Sequence, residues 1–472
     1  MMDILSVFIK IKELFYKRFL LYFFSISMIF RIFVVLNYNN ELALNGSDKE
    51  HYQIAANLVN GNGYSWNYEE PYEITLYREP GYILFLASIL KTREFFGYET
   101  QAIKTQNQFF GTWEPEINKS LLNNELKYIK IWQAIIDSFS VVFLVLLVSL
   151  IIKEKRKVII FGLLLSVFFP TVWYITLIGR ETFLTFLCSG FAYYFAKYLY
   201  NNNYKDLILF SVFLGLMIVT FQALLVFILI VLIYLLWFKH FINVLKTSLI
   251  VGVIVTLISL PWLFFAYKQY PDLRILKSWG SSLTHETNAY VNAHRNLFKL
   301  NKISKDSLVS ISYVWGGTSP KEAFDRSFYG YYKNEVKRIN SEIADEKLKL
   351  LKIKLKENIE QYAKVWFIVS PGKGKRELIR QRNFSFRSTI MLILLLLPGV
   401  VSFIGFLSNS KKLAPILFLF FTFYALTFMF EAGRRLQPIY SYILLFFVLQ
   451  MFSIVEKIKN YIDWVRIKYK IS

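Results

Sequence analysis

This chain of 472 residues contains one cysteine, Cys188, and four histidines. A single thiol excludes an intrachain disulfide framework, and this one lies inside an apolar run. His51, His240, His285 and His294 are scattered, and none falls at a metal-ligand spacing. Acid is scarce too: 33 carboxylate residues stand against 55 lysines and arginines, a net charge of +22. An excess of base suits nucleic acid, but here it sits in clusters between apolar runs, as the positive-inside bias of membrane proteins requires. Nucleic acid is therefore not an expected partner. Internal repeats, low-complexity tracts and Gly/Ser linkers are missing as well.

What the chain has in quantity is apolar sequence: 55% hydrophobic and 18% aromatic residues, with a mean hydropathy of +0.39. Runs of about 18 or more apolar residues mark transmembrane helices. About ten are expected, near Phe19–Leu36, Ile131–Ile152, Val158–Tyr174, Thr182–Leu199, Leu207–Thr220, Ala223–Phe238, Ser248–Phe265, Ser388–Leu407, Ala414–Phe430 and Ile439–Val455. The first follows Lys10, Lys12, Lys17 and Arg18 but has no small-residue cleavage site, so it reads as an uncleaved span. The expected fold is an all-α polytopic membrane protein.

Charge sets the expected sidedness. With a cytoplasmic N-terminus, the basic segments Lys153 to Lys157, Lys239 to Lys246, Lys411-Lys412 and the tail from Glu456 all fall inside. Both termini are then cytoplasmic, in the plasma (inner) membrane. Three regions follow: an N-terminal transmembrane module, residues 1–266, holding a first exterior loop at 37–130; an exterior loop domain at 267–387; and a C-terminal transmembrane module at 388–472.

Each exterior loop is expected to carry an amphipathic helix. In the second, Ile339, Ile343, Leu350, Leu351, Leu355, Ile359, Tyr362 and Trp366 recur at helical spacing within the charged stretch Lys333 to Lys364. In the first, Ser47 and Asp48 are good helix-capping types, and Ile54, Ala55 and Leu58 give an apolar face. Asn60-Gly61-Asn62-Gly63 should break that helix, because these residues tolerate positive φ. The run Ile83 to Leu90 is too short to cross a bilayer and is expected along the membrane surface.

Charged residues near span ends are the candidates for chemistry, since a charge in the bilayer costs about 2.5–3.5 kcal/mol or more. Asp48, Glu50, Arg78 and Glu79 lie in the first exterior loop, Arg180-Glu181 between the third and fourth spans, and Arg434-Arg435 between the ninth and tenth. The expected topology gathers all of them on one face. Plainer readings stand beside this one. Asp48 suits a helix cap, Arg434-Arg435 a lipid-headgroup anchor, and Arg78-Glu79 a weak loop ion pair. Arg31 is expected to snorkel to the exterior interface, and Asp137 to make a structural hydrogen bond.

Asp48, Tyr52, Ala56, Leu58, Gly61, Gly63 and Tyr64 fill the pattern D-x-x-x-Y-x-x-x-A-x-L-x-x-G-x-G-Y. That pattern resembles the first exterior loop of GT-C glycosyltransferases, multi-spanning enzymes that take sugar from a polyprenyl-phosphate carrier. They include protein O-mannosyltransferases and lipid A aminoarabinose transferases. Arg78-Glu79-Pro80-Gly81-Tyr82 with Phe85-Leu86-Ala87 is similar to that family's R-x-P-G-Y-P-x-F-L-A, with Ile83 where a second proline is common. Glu181, Pro261-Trp262, and Arg434-Arg435 with Pro438 are further echoes. Many relatives carry Asp-Glu in the first loop; here Lys49 follows Asp48 and the glutamate is Glu50.

The resemblance implies a GT-C-like bundle, a polyprenyl-phosphate sugar as donor, and Asp48 as general base. The residues suit that chemistry. A leaving phosphate needs charge neutralisation, which arginine supplies, and an acceptor hydroxyl needs a base, which a placed carboxylate provides. Arg434, Arg435 and Arg180 are expected at the carrier phosphate; Glu50, His51, Tyr52, Arg78, Glu79 and Glu181 are expected to contact sugar or acceptor. The acceptor is a glycan, a lipid or a protein hydroxyl. No cofactor is expected, although His51 beside Asp48 and Glu50 leaves a divalent metal open. The competing readings are a secondary transporter or lipid flippase, and a non-catalytic assembly partner.

Overall fold

The computed structural model describes residues 2–37, 47–65, 70, 72, 74, 76, 78–100, 119–152, 154–238, 241–269, 290, 293–304, 307, 331–353, 450–458 and 461. Among these the secondary structure is helical, apart from one isolated bridge between Ser65 and Ile74. The expected last three spans lie almost wholly outside the described residues, as do Arg434 and Arg435.

Three helices carry stretches long and apolar enough to cross a membrane: Arg18–Asn37, Leu122–Leu150 and Ile242–Gln269. They belong to α1 (Met2–Asn37), α4 (Lys119–Ile151) and α10 (Phe241–Gln269), and α1 changes direction at Arg18, where φ is −119° and ψ is 17°. Each matches an expected span. The other expected spans of the N-terminal module are shorter, less apolar or divided. They correspond to α7 (Arg180–Asn201), α8 (Tyr204–Thr220), α9 (Val226–Phe238) and α5 (Lys155–Ser166).

The stretch expected as one span from Val158 to Tyr174 is divided. α5 has 12 residues, which gives a length of about 18 Å. After it come α6 (Phe169–Val172), a 3-10 turn at Trp173–Thr176 and the N-cap of α7 at Gly179. Proline 170 has no amide hydrogen, so the carbonyl of Ser166, four residues earlier, cannot receive its helical bond. Arg31 supplies the missing donor: its Nη1 reaches the Ser166 carbonyl at 2.8 Å. The Arg31 Nε also donates to Asp137 Oδ2 at 2.7 Å, and Nη1 to Ser27 Oγ at 2.5 Å. Arg31 and Asp137 are each 1% exposed. Arg31 therefore does not snorkel to an interface; it is a buried pivot between α1, α4 and the end of α5. Asp137 makes the structural hydrogen bond expected of it, and makes it as the counter-ion of Arg31.

α7 packs against α4 and α8, α1 against α4, and α10 against α8. Their common core includes Phe191, Phe210 and Phe227, whose rings meet edge to face at 6.1 and 5.9 Å. α2 (Ser47–Val59) and α3 (Pro80–Phe95) pair with each other and share a second core. There Tyr52, Tyr82 and Leu86 join Ile129 of α4, Ile178 of the α6–α7 connector, and Trp262 and Ala266 of α10. The run expected on the membrane surface is thus mostly covered by protein. Tyr82, Ile83, Leu86, Ile89, Leu90 and Arg93 are buried, while Leu84 faces outward.

In the segment expected as the second exterior loop, α11 (Tyr331–Glu342) follows the expected periodicity and then stops. Ile343 leaves the helical region at φ −101°, a 3-10 turn spans Ala344–Glu346, and helix resumes over 347–353. Ile339, Ile343 and Leu350 bury against Ala293, Leu297 and Leu300, whereas Leu351, expected on that same face, is 62% exposed. Residues 354–366 of the expected long helix lie outside the described residues.

Candidate functional site

α2 begins at Ser47 and ends at Val59, and the Asn60–Gly63 turn follows as expected, with φ of +81° at Gly61 and +77° at Gly63. This turn returns the chain so that Tyr64 packs on Trp262 and Phe265 of α10, ring centroids 5.0 and 6.1 Å away. The Tyr64 hydroxyl donates to the carbonyl of Arg78 at 2.9 Å. That bond holds the short segment leading into α3, and with it the two charged residues at its end.

Arg78 and Glu79 do not pair with each other. Arg78 donates to Glu50 of α2, and Glu79 accepts from Arg180 Nη1 at 3.0 Å. Two neighbouring residues thus reach in different directions, one to α2 and one to the start of α7. Glu50 and Glu79 are buried, whereas Arg78 and Arg180 keep 16% and 13% of their side-chain surface. An approaching molecule meets guanidinium before carboxylate. Burial pushes the Glu50 carboxyl above its ordinary range, and the charge and hydrogen bond of Arg78 pull against it. Burial also raises the Tyr64 phenol well above its ordinary value, with the Glu79 charge adding to the effect.

α3 enters this site because Gly81 lets it. A Cβ at Gly81 would lie 2.8 Å from both the Thr220 amide nitrogen and its Cα, at the end of α8. The chain leaves α8 at Phe221 in an extended conformation, and the Arg180 guanidinium carbon stands 4.3 Å from the Phe221 ring centroid. Arg180 is therefore held on two sides: by Glu79 at its edge and by an aromatic face beneath. It is also the first residue of α7, so its charge adds to the positive end of a 22-residue helix whose cap, Gly179, has no side chain. Beyond the bond to Glu79, its guanidinium N–H groups have no hydrogen-bond acceptor among the described residues.

Of the expected site residues, the structure brings Glu50, Arg78, Glu79 and Arg180 into one cluster. Glu181 sits next to it in the first turn of α7, half-buried. His51 is buried beside Tyr82, ring centroids 5.4 Å apart. Tyr52 turns away from the cluster. It is fully buried and donates to Glu125 of α4 at 2.5 Å, and Glu125 also accepts from Arg93 Nη1 of α3 at 2.9 Å. Burial and the Glu125 charge hold the Tyr52 phenol well above its ordinary value, so it remains a donor. Tyr52 clips α2 to α4. Asp48 stands in the first turn of α2, one turn before Tyr52, and its side chain lies outside the described residues, as do Arg434 and Arg435.

Sequence reasoning passed over Tyr64, Glu125 and Phe221. Tyr64 carried a signal, as the last position of the first-loop pattern; Phe221 carried none, because an aromatic at the end of an apolar run is ordinary lipid-facing composition. Two buried polar atoms near the connector, Gln133 Oε1 and Thr182 Oγ1, have no hydrogen-bond partner among the described residues.

No family model matches the chain, and a comparison with curated proteins finds no match.

Proposed function

We propose that this protein is a multi-pass membrane glycosyltransferase of the GT-C type, which moves a sugar from a polyprenyl-phosphate carrier to an acceptor hydroxyl at the exterior face. The observation that carries the reading is Arg180: a guanidinium fixed by Glu79 and Phe221, at a helix N-terminus, with its other donors unengaged among the described residues. Such a group binds a phosphate without having to be ordered first.

In the proposed reaction the acceptor oxygen attacks the anomeric carbon from the side opposite the phosphate. The carbon–oxygen bond to phosphate breaks, the phosphate leaves with the electron pair, and configuration inverts. Asp48 takes the hydroxyl proton, a contribution of roughly 10²–10⁴ in rate. Arg180, with Arg434 and Arg435, neutralises the leaving phosphate, and the Glu50–Arg78 pair lines the sugar side. About ten spans, cytoplasmic termini and an exterior site complete the proposal. An exposed stripe on α10 supports a lipid-facing surface: Leu245, Leu249, Val253, Leu257, Leu260 and Phe264 recur along one side of the helix.

One observation favours the transporter or flippase reading. Arg31 and Asp137 form an ion pair within two of the apolar helices, beside a broken third helix, features common in transporters. The test separates the two. Membranes holding wild type, Asp48→Asn or Arg180→Ala are given radiolabelled polyprenyl-phosphate sugars. The transferase reading expects label in an acceptor with wild type and little with either variant. Label that crosses the bilayer still attached to its carrier, equally in all three, refutes it in favour of the flippase.

A further inference from the structure

The connector from 167 to 179 carries Arg180, yet it has few backbone bonds of its own to set its course: a turn, a four-residue helix and one 3-10 turn. It is fastened from outside at both ends. At the first, Arg31 donates to the Ser166 carbonyl left without a helical partner, and Asp137 anchors Arg31 in turn. At the last, Gln133 of α4 donates from Nε2 to the Leu177 carbonyl at 3.1 Å, three residues before Arg180. Between them, Val172 and Ile175 pack against Val34 and Val35 of α1 and Ala134 of α4. Gln133 is fully buried and accepts no hydrogen bond at Oε1 among the described residues. An apolar residue of that length would avoid this penalty, so the amide is kept at a cost.

We infer that Gln133, together with the Arg31–Asp137 pair, is a positioning device that fixes the connector so that Arg180 meets an anionic prenyl-phosphate headgroup. The inference rests on the reading of Arg180 as the phosphate ligand. Neither Gln133 nor Arg31 touches substrate. They act through the Leu177 and Ser166 carbonyls, which set where α7 starts and hence where its first side chain projects. If Gln133 is lost, the connector gains freedom at its far end, and Arg180 must be ordered by the ligand at the ligand's expense.

The test uses the full-length protein purified in detergent, with farnesyl phosphate titrated calorimetrically and donor kinetics run in parallel. Gln133→Met keeps length and apolar volume but removes the donor. The expected result is a Kd for farnesyl phosphate and a donor KM raised about tenfold, with kcat within about twofold, the pattern of lost uniform binding. A merely structural role would move other quantities: the unfolding midpoint and the active fraction fall, while Kd and KM of the remaining folded protein stay at wild-type values. That outcome overturns the inference. Should Gln133→Met not accumulate, Asp137→Asn, which keeps an acceptor for Arg31 but weakens the anchor, is read the same way. Binding without sugar transfer in wild type counts against the transferase reading alone. A Gln133→Met protein that binds farnesyl phosphate like wild type counts against the positioning role alone, and no binding by wild type overturns both.

Discussion

Glu79 and Arg180 are 101 positions apart in the chain and meet at 3.0 Å, where the start of α3 abuts the start of α7. This bond ties α3 to α7, beside the Tyr52–Glu125 and Arg93–Glu125 bonds that tie α2 and α3 to α4. Glu79→Gln retains an acceptor and should leave the fold intact. Glu79→Ala strands a mostly buried guanidinium and should lower stability by about 1–3 kcal/mol. Thermal unfolding followed by tryptophan fluorescence, with the variants in one detergent, checks the order wild type, Gln, Ala.

Gly81 should not tolerate a side chain. A Cβ there meets the backbone of Thr220, which cannot rotate aside. Gly81→Ala should therefore push α3 off α8, with a loss of about 1–3 kcal/mol. Thermal unfolding of Gly81→Ala beside wild type, in one detergent, reads that loss as a lower midpoint.

The Arg31–Asp137 pair should be costly to break and cheap to remove whole. Asp137→Ala leaves a buried guanidinium unpaired, a loss of about 3–5 kcal/mol. Arg31→Met with Asp137→Leu removes both charges and should recover part of that loss; what it cannot recover is the bond to the Ser166 carbonyl. Unfolding midpoints of wild type, Asp137→Ala and the double variant check the order, with the double variant between the other two.

Glu50 should titrate above the ordinary carboxylate range, since burial outweighs the pull of Arg78. The sign follows from that. A carboxyl whose folded pKa exceeds its unfolded value contributes its stability at low pH, and the contribution is lost as pH rises through the folded pKa. Arg78→Gln removes the opposing charge and should move the titration higher still. The Glu50 carbonyl stretch in infrared difference spectra, identified by its absence in Glu50→Gln, gives both values; a downward shift in Arg78→Gln would contradict the account.

Local features were legible in the sequence, and pairings were not. Capping residue types and a repeating apolar face announced α2, and Asn60–Gly63 announced its end, because both signals act over a few residues. The three longest apolar helices were equally plain. Arg78-Glu79 was recognised as a charged pair, but which acid serves which base depends on how α2 and α7 approach α3, and no local spacing encodes that. The same holds for Arg31, whose partner lies 106 residues away. The division of the third expected span was hidden beneath uniform hydropathy, although Pro170 marked the place. Around α11, Ile339, Ile343 and Leu350 keep one buried face, while Leu351, one position further on, points outward.

The guanidinium that completes a broken helix has an evolutionary corollary. Position 170 withholds an amide hydrogen, position 31 lends one back, and position 137 keeps the lender in place. A descendant with an ordinary residue at 170 would take the Ser166 carbonyl from Arg31, leaving a buried ion pair at 31 and 137 without that task. These three positions should therefore be inherited as a set, and a lineage that alters one should show compensating changes in the other two.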